Sequence, residues 1–179
     1  MSVKWVTSDL HFNHANVIKY CDRPYDSVEE MNERIIETWN NQVSEDDTVY
    51  HLGDFAFANY TKVREYLSQL KGNKIFIIGN HDRVLRKNKE SLEKEFDMKL
   101  YDYYEMTVDK TFIVMCHYPF ISWNRSSYGS INIHGHCHGS NPIQLKNQID
   151  VGWDSPEMYG RPSHGLINLR EILVKFGKE

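Results

Sequence analysis

Ile75-Phe76-Ile77-Ile78-Gly79-Asn80-His81-Asp82 decides how this chain is read. A run of apolar residues closing on a glycine, an amide, an imidazole and a carboxylate is the pattern of a buried strand. Such a strand delivers polar side chains at its carboxyl end, where open α/β sheets carry their sites. A plain strand running into a polar turn would use Gly79 for an unusual backbone angle and Asn80 to tolerate it. Other stretches separate these two readings.

Residues 3–8 alternate apolar and polar side chains and run into Asp9-Leu10-His11-Phe12-Asn13-His14. In an extended Asp9-x-His11 segment both side chains fall on one face, so one metal could take both. Thr48-Val49-Tyr50-His51-Leu52-Gly53-Asp54 is a further strand ending in a carboxylate. Between these strands lie two helical patterns. Ser27 and Glu30 stand at capping-box spacing before a stripe of Val28, Met31, Ile35, Trp39 and Val43. Val63, Tyr66, Leu67 and Leu70 form the second, stopped by Lys71-Gly72-Asn73. The order strand, helix, strand, helix, strand predicts parallel neighbours joined by right-handed crossovers.

The texture changes after Met98. Residues 100–108 and 111–115 read as a hairpin turning at Asp109-Lys110, its second strand ending in Cys116-His117-Tyr118-Pro119. Ile131-Asn132-Ile133 leads into His134-Gly135-His136-Cys137-His138-Gly139. Residues 148–151, 165–169 and 172–176 complete the expected strands, so a largely antiparallel second sheet is predicted against the first.

With 179 residues, 40% hydrophobic and 13% aromatic, the chain suits one domain spanning 1–179. A formal net charge of -4 argues against a broad nucleic-acid surface, although residues 83–89 form a local basic strip. Cys21, Cys116 and Cys137 are an odd number without a CxxC pair, which fits free thiols in a reducing, cytoplasmic compartment. The N-terminal residues lack the pattern of a secretory signal, and no apolar stretch approaches the roughly 20 residues that span a bilayer.

The strand-end donors are Asp9, His11, Asp54, Asn80, His117, His136 and His138, with His81 beside them. Carboxylate and amide oxygens with imidazole nitrogens, and no thiolate, suit two divalent ions such as manganese, iron, zinc or nickel. Asp54 has two oxygens and could bridge ions roughly 3.5–4 Å apart, with a hydroxide between them as nucleophile.

Asp9-x-His11, Gly53-Asp54, Gly79-Asn80-His81-Asp82, His117-x-Pro119 and Gly135-His136-x-His138 occur in the order seen in calcineurin-like metallophosphoesterases. The chain resembles that family over roughly residues 3–140. The resemblance implies a four-layer α/β/β/α sandwich of two mixed sheets flanked by helices, in a small form without a large cap. It implies hydrolysis of phosphodiesters or phosphomonoesters, with Asp9, His11, Asp54 and His138 holding one metal and Asp54, Asn80, His117 and His136 the other. His81 would face the substrate, stabilising the transferring phosphoryl group or protonating the leaving oxygen, and Asp82 would orient it. The family also has a scaffold branch, resembling the retromer subunit of this fold, that lacks this histidine. A non-catalytic protein-binding scaffold that keeps its metal site is therefore the alternative.

The remaining candidates are peripheral. Arg23 and Arg125 could grip a substrate phosphate. Trp123, Tyr128, Trp153 and Tyr159 could stack on a base, though core packing explains them as well. His14, His51, His134 and His164 read as turn or hydrogen-bond partners, and Cys137 should point away from its neighbours if that piece is extended.

Overall fold

The computed structural model describes residues 2–141, 143, 145–155 and 165–178. Tyr159 and His164 lie outside the described residues. The first sheet has the order β4-β3-β2-β1-β9, formed by β1 (Lys4–Thr7), β2 (Thr48–His51), β3 (Asn73–Ile77), β4 (Lys99–Tyr101) and β9 (Ile167–Asn168). β1 to β4 are parallel and β9 runs antiparallel to β1. The second sheet has the order β5-β6-β7-β8, formed by β5 (Tyr104–Val108), β6 (Thr111–Met115), β7 (Ile131–His134) and β8 (Gln148–Asp150).

Strand alternation divides the core. Val49 and Phe76 face the helical side of the first sheet, where α2 (Val28–Gln42), α3 (Tyr60–Gln69) and α5 (Lys89–Phe96) bury Met31, Ile35, Trp39, Val63, Leu67 and Leu92. Their strand neighbours Tyr50 and Ile77 face the other way, into an inter-sheet cluster with Ile113, Met115, Ile131, Ile133 and Ile149. Trp39 is fully buried and on its own contributes roughly 2–3 kcal/mol of apolar transfer. The first turn of α2 is fixed locally: Ser27 Oγ accepts the Glu30 amide at 3.1 Å, and Glu30 reaches back to the Asp26 amide at 2.8 Å.

Three expectations need correction. Residues 100–108 are two strands, not one: β4 belongs to the first sheet and β5 to the second, the chain crossing between them at residues 102–103. The turn after β5 is as read, with Asp109 and Lys110 both at positive φ, 46° and 66°. Second, only β5 and β6 are antiparallel; β6, β7 and β8 run parallel, so the second sheet is mixed. Third, residues 172–175 lie in a helix, α6 (Leu169–Lys175), which the Asn168 side chain caps at its start and Phe176 closes. Leu169, Ile172 and Leu173 share a helical stripe that joins the inter-sheet cluster while Val174 is left exposed.

This topology sets the site. Parallel β1, β2 and β3 end on one edge of their sheet, and parallel β6, β7 and β8 end on one edge of theirs. A bridge between Ser8 and Gly152 ties the two edges together just beyond β1 and β8. Two further helices, α1 (Ala15–Tyr20) and α4 (Arg83–Lys87), begin just after the loops that carry the donors. Among the described residues no helix is long and apolar enough to cross a membrane.

Candidate metal centre

Asp9 and His11 follow β1, Asp54 follows β2, Asn80 and His81 follow β3, His117 follows β6, and His136 and His138 follow β7. All converge on one cleft. Asp9, His11 and His138 place ligand atoms within 4.8 Å of one another, and so do Asp54, His117 and His136. Asp54 joins the two groups: its Oδ2 is 3.7 Å from His11 Nε2 and 3.5 Å from His117 Nε2, while its Oδ1 accepts the His81 amide at 2.9 Å. Asn80 Oδ1 lies 3.0 Å from His117 Nε2.

The loops reach this geometry in a way that strand alternation does not supply. Asp9, His11, Asp54, His136 and His138 all have positive φ, between 47° and 71°. Each such residue costs on the order of 1 kcal/mol, and clusters of them mark sites that the surrounding structure holds in place. Asp9 and His11 thus meet through two left-handed residues beyond the strand, and Cys137 sits between two others and lines the cleft. Gly135 is required by the same packing, because a Cβ there would collide with Ser8 Oγ and Asp9 Oδ2.

The chemistry of the donors fits cations. Asp9 is fully buried; its Oδ2 accepts the His136 amide at 2.9 Å, while its Oδ1 has no hydrogen-bond partner among the described residues and lies 3.9 and 3.8 Å from the Nε2 atoms of His11 and His138. Burial pushes the Asp9 carboxyl up to about 7, partly offset by His117 and His138. Burial also drives His11 down to about 2, despite Asp54 nearby. His117 Nδ1 must donate to the Leu52 carbonyl at 2.8 Å, so its Nε2, which faces the Asn80 and Asp54 oxygens, carries a proton or gives way to a cation; burial lowers the His117 pKa, but the Asp54 carboxylate outweighs it and raises it. His11 Nε2 and His138 Nε2 face each other at 3.3 Å. Imidazole Nε2 atoms that face carboxylate or amide oxygens, or one another, need positive charge between them, supplied by protons on His117 and His138 or by cations that displace those protons. Burial opposes ionisation of Asp54, but His117 and the His81 amide outweigh it and hold this carboxyl well below its usual range.

Asp154 is a partner that the sequence reading missed. It accepts His138 Nδ1 at 2.7 Å and takes Arg23 in a two-point pair at 2.8 and 2.7 Å. Burial alone would lower the His138 pKa; the Asp154 carboxylate outweighs it and lifts the pKa to about 10. The available signal was the stretch Val151-Gly152-Trp153-Asp154 after β8, an apolar-Gly strand end like Leu52-Gly53-Asp54 and Ile78-Gly79-Asn80.

Arg23 is therefore not free to grip substrate. It is 4% exposed, and its remaining donors reach the Asp9 and Leu10 carbonyls at 2.7 and 2.8 Å. Arg125 is also elsewhere: its guanidinium lies 4.5 Å over the Phe112 ring, near the start of β6, whereas His117 follows the other end. Asp82 does not hold the His81 ring directly. Its two oxygens accept the amides of Gly79, Asp54 and Phe55, each at 2.8 Å, and no hydrogen bond or ion pair joins it to the His81 ring. It acts on the site through the backbone of two donor loops.

The other aromatic and histidine candidates divide. Trp153 is a core residue and Trp123 Nε1 closes its own loop onto the Ser130 carbonyl at 3.3 Å. His51 packs on Phe55 and Phe76, and burial lowers its pKa to about 3. His134 Nδ1 donates to the Gly135 carbonyl at 2.9 Å. His14 instead lies flat on Phe57 in the cleft wall, ring centroids 3.9 Å apart.

Two mixed sheets with flanking helices, presenting carboxylate, amide and imidazole donors in one cleft, define a metal-binding α/β protein with the outline of a hydrolase. The chain belongs to the calcineurin-like phosphoesterase family, whose model matches residues 4–155, and at that level it is a metallophosphoesterase. It is 41% identical to an uncharacterised protein of Methanocaldococcus jannaschii, over 76% of this chain and 69% of that one. The gene 66 protein of Mycobacterium phage L5 is 29% identical, over 87% of this chain and 88% of its own length. Among solved structures, a protein of unknown function from Aquifex aeolicus superposes with a TM-score of 0.71 at 26% identity, covering 96% of this chain and 98% of that one. A novel archaeal phosphodiesterase shares the fold, with a TM-score of 0.52 at 19% identity over 98% and 95% of the two chains.

Proposed function

We propose that the protein hydrolyses phosphodiesters or small phosphomonoesters with two divalent cations. Asp9, His11, Asp54 and His138 would hold one, and Asp54, Asn80, His117 and His136 the other. The observation that carries this reading is the single oxygen Asp54 Oδ2 lying 3.7 Å and 3.5 Å from imidazole nitrogens of the two groups. When bound, two cations supply Lewis acidity toward phosphoryl oxygens and bring the pKa of water toward neutrality. Oxygen and imidazole donors support manganese, iron, zinc or nickel.

His81 is assigned the substrate side. Its ring is 44% exposed in the cleft, with Nε2 3.9 Å from Asp54 Oδ2, so an ester seated over that carboxylate meets the imidazole. Phe57 packs against the ring at 4.6 Å and the backbone amide is tied to Asp54. From there Nε2 can hydrogen-bond a phosphoryl oxygen or donate a proton to the departing alcohol, a contribution of about 10²–10⁴-fold. Asp82 is a positioning residue that fixes the loops carrying Asp54 and His81.

The net charge of -4 supports a small ester over nucleic acid as substrate. Residues 1–179 are read as one catalytic unit, supported by the pairing of β9 with β1. Three unpaired cysteines support a reducing, cytoplasmic compartment. The test is hydrolysis of a chromogenic diester and a chromogenic monoester after chelation, with manganese, zinc, nickel and magnesium restored separately. Turnover that disappears on chelation and returns with one or more of these ions is the expected result; metal-independent turnover, or none under any condition, rejects the reading.

A further inference from the structure

The metal centre opens on one side into a cavity of about 670 Å³, a volume that accommodates a nucleotide-sized molecule. Its floor is His11, His81, His136 and His138. Its walls are His14, Val17, Tyr20, Cys21, Phe57, Cys137 and Ser140, with His14 stacked on Phe57. None of the described lining residues is Lys, Arg, Asp or Glu. Among the described residues, a polyphosphate chain leaving the metal centre in this direction meets no lysine or arginine, and an ammonium or guanidinium group meets no carboxylate.

The wall is nevertheless equipped for a flat ring. Tyr20 is 76% exposed at the end of α1, and Phe57 is 36% exposed beside His81. Large aromatic side chains left uncovered next to a polar centre leave apolar area for a ligand to bury. The same side chains would add little for a methyl or ethyl ester, which covers too small an area.

We propose that this cavity seats an uncharged aromatic group of the ester, so that the protein favours aryl or nucleoside esters of a single phosphorus over alkyl esters and polyphosphates. The proposal rests on the phosphoester reading above and adds the substrate class. The ring lies against Tyr20 and Phe57 while the phosphoryl group sits over Asp54 and His81.

Phenylphosphonate and methylphosphonate test this without turnover, because their carbon–phosphorus bonds resist hydrolysis. Calorimetric titration of the manganese-loaded protein should show phenylphosphonate binding about tenfold or more tightly, in line with one aromatic contact. Tyr20→Ala should reduce that preference to about threefold or less. Phe57→Leu, checked for folding by its melting temperature, should reduce it as well. Equal affinity of the two ligands in the wild type, or a preference untouched by both substitutions, overturns the inference and leaves phosphoester hydrolysis standing. Failure of both phosphonates to bind contradicts the phosphoester reading and the inference together.

Discussion

Replacing Asp154 by Asn separates the two tasks that this carboxylate performs. In the native protein it is 5% exposed and takes both Arg23 and His138 within 2.8 Å. Asn keeps the shape and one acceptor but removes the charge, leaving the buried Arg23 guanidinium with neutral partners, among them the Asp9 and Leu10 carbonyls and Met31 Sδ. Breaking a buried ion pair costs about 3–5 kcal/mol, and the surviving acceptor puts this case near 3 kcal/mol. For a domain of this size that lowers the melting temperature of the metal-free protein by about 6–12 °C. The second task concerns His138. An Asn that turns its amide nitrogen to His138 Nδ1 forces the imidazole proton onto Nε2, where a cation would bind; one that turns its oxygen there sets its NH₂ against Arg23. Losing such a partner weakens metal binding about 10–100-fold. Thermal unfolding of the metal-free variant reads the first effect, and manganese titration with elemental analysis reads the second. The weakening should fall on one cation and spare the one assigned to Asn80, His117 and His136. Wild-type melting together with wild-type affinity for both cations would refute the reasoning.

His81→Ala should lower turnover about 10²–10⁴-fold with metal content preserved, measured by elemental analysis beside steady-state kinetics; parallel loss of metal would make His81 a ligand. Gly135→Ala should expel cations, because the new methyl group displaces the Asp9 carboxylate, and metal content near wild type would show that the loop yields instead. Cation binding should release protons. Without metal, His138 is protonated up to about 10 and Asp9 up to about 7, so near pH 8 a cation displaces about one proton, approaching two below pH 7. Affinity therefore rises with pH, about tenfold per unit for each proton displaced, and calorimetry in buffers of different ionisation enthalpy reads the number. An affinity independent of pH would contradict this protonation of the empty site.

The alternating half of the fold was legible in the sequence because its periods are clean. β1, α2 and α3 carry spacings of two, three or four, and β2 and β3 run into Gly53 and Gly79; the structure keeps all five as elements. Residues 172–176 misled because Ile172, Val174 and Phe176 alternate, whereas tertiary packing selects the Leu169, Ile172, Leu173 stripe of a helix. The break between β4 and β5 was invisible because no glycine or proline punctuates residues 99–108, and Asp102 alone marks the crossing. At the site, residue types at strand ends identified the donors, yet the path to Asp9 and His11 runs through left-handed backbone that no strand alternation encodes. Arg23 looked available because its partner lies 131 residues away, and nothing local to either residue announces a buried pair. Asp82 looked like a side-chain partner for its neighbour His81, but its oxygens satisfy three buried amides instead.

Counting ions tests the shared-carboxylate site most directly. Elemental analysis of protein dialysed after loading with manganese should give two ions per chain in the wild type and one or none in Asp54→Asn. A wild type that never holds more than one ion, or a variant that keeps both, would contradict a centre built around Asp54.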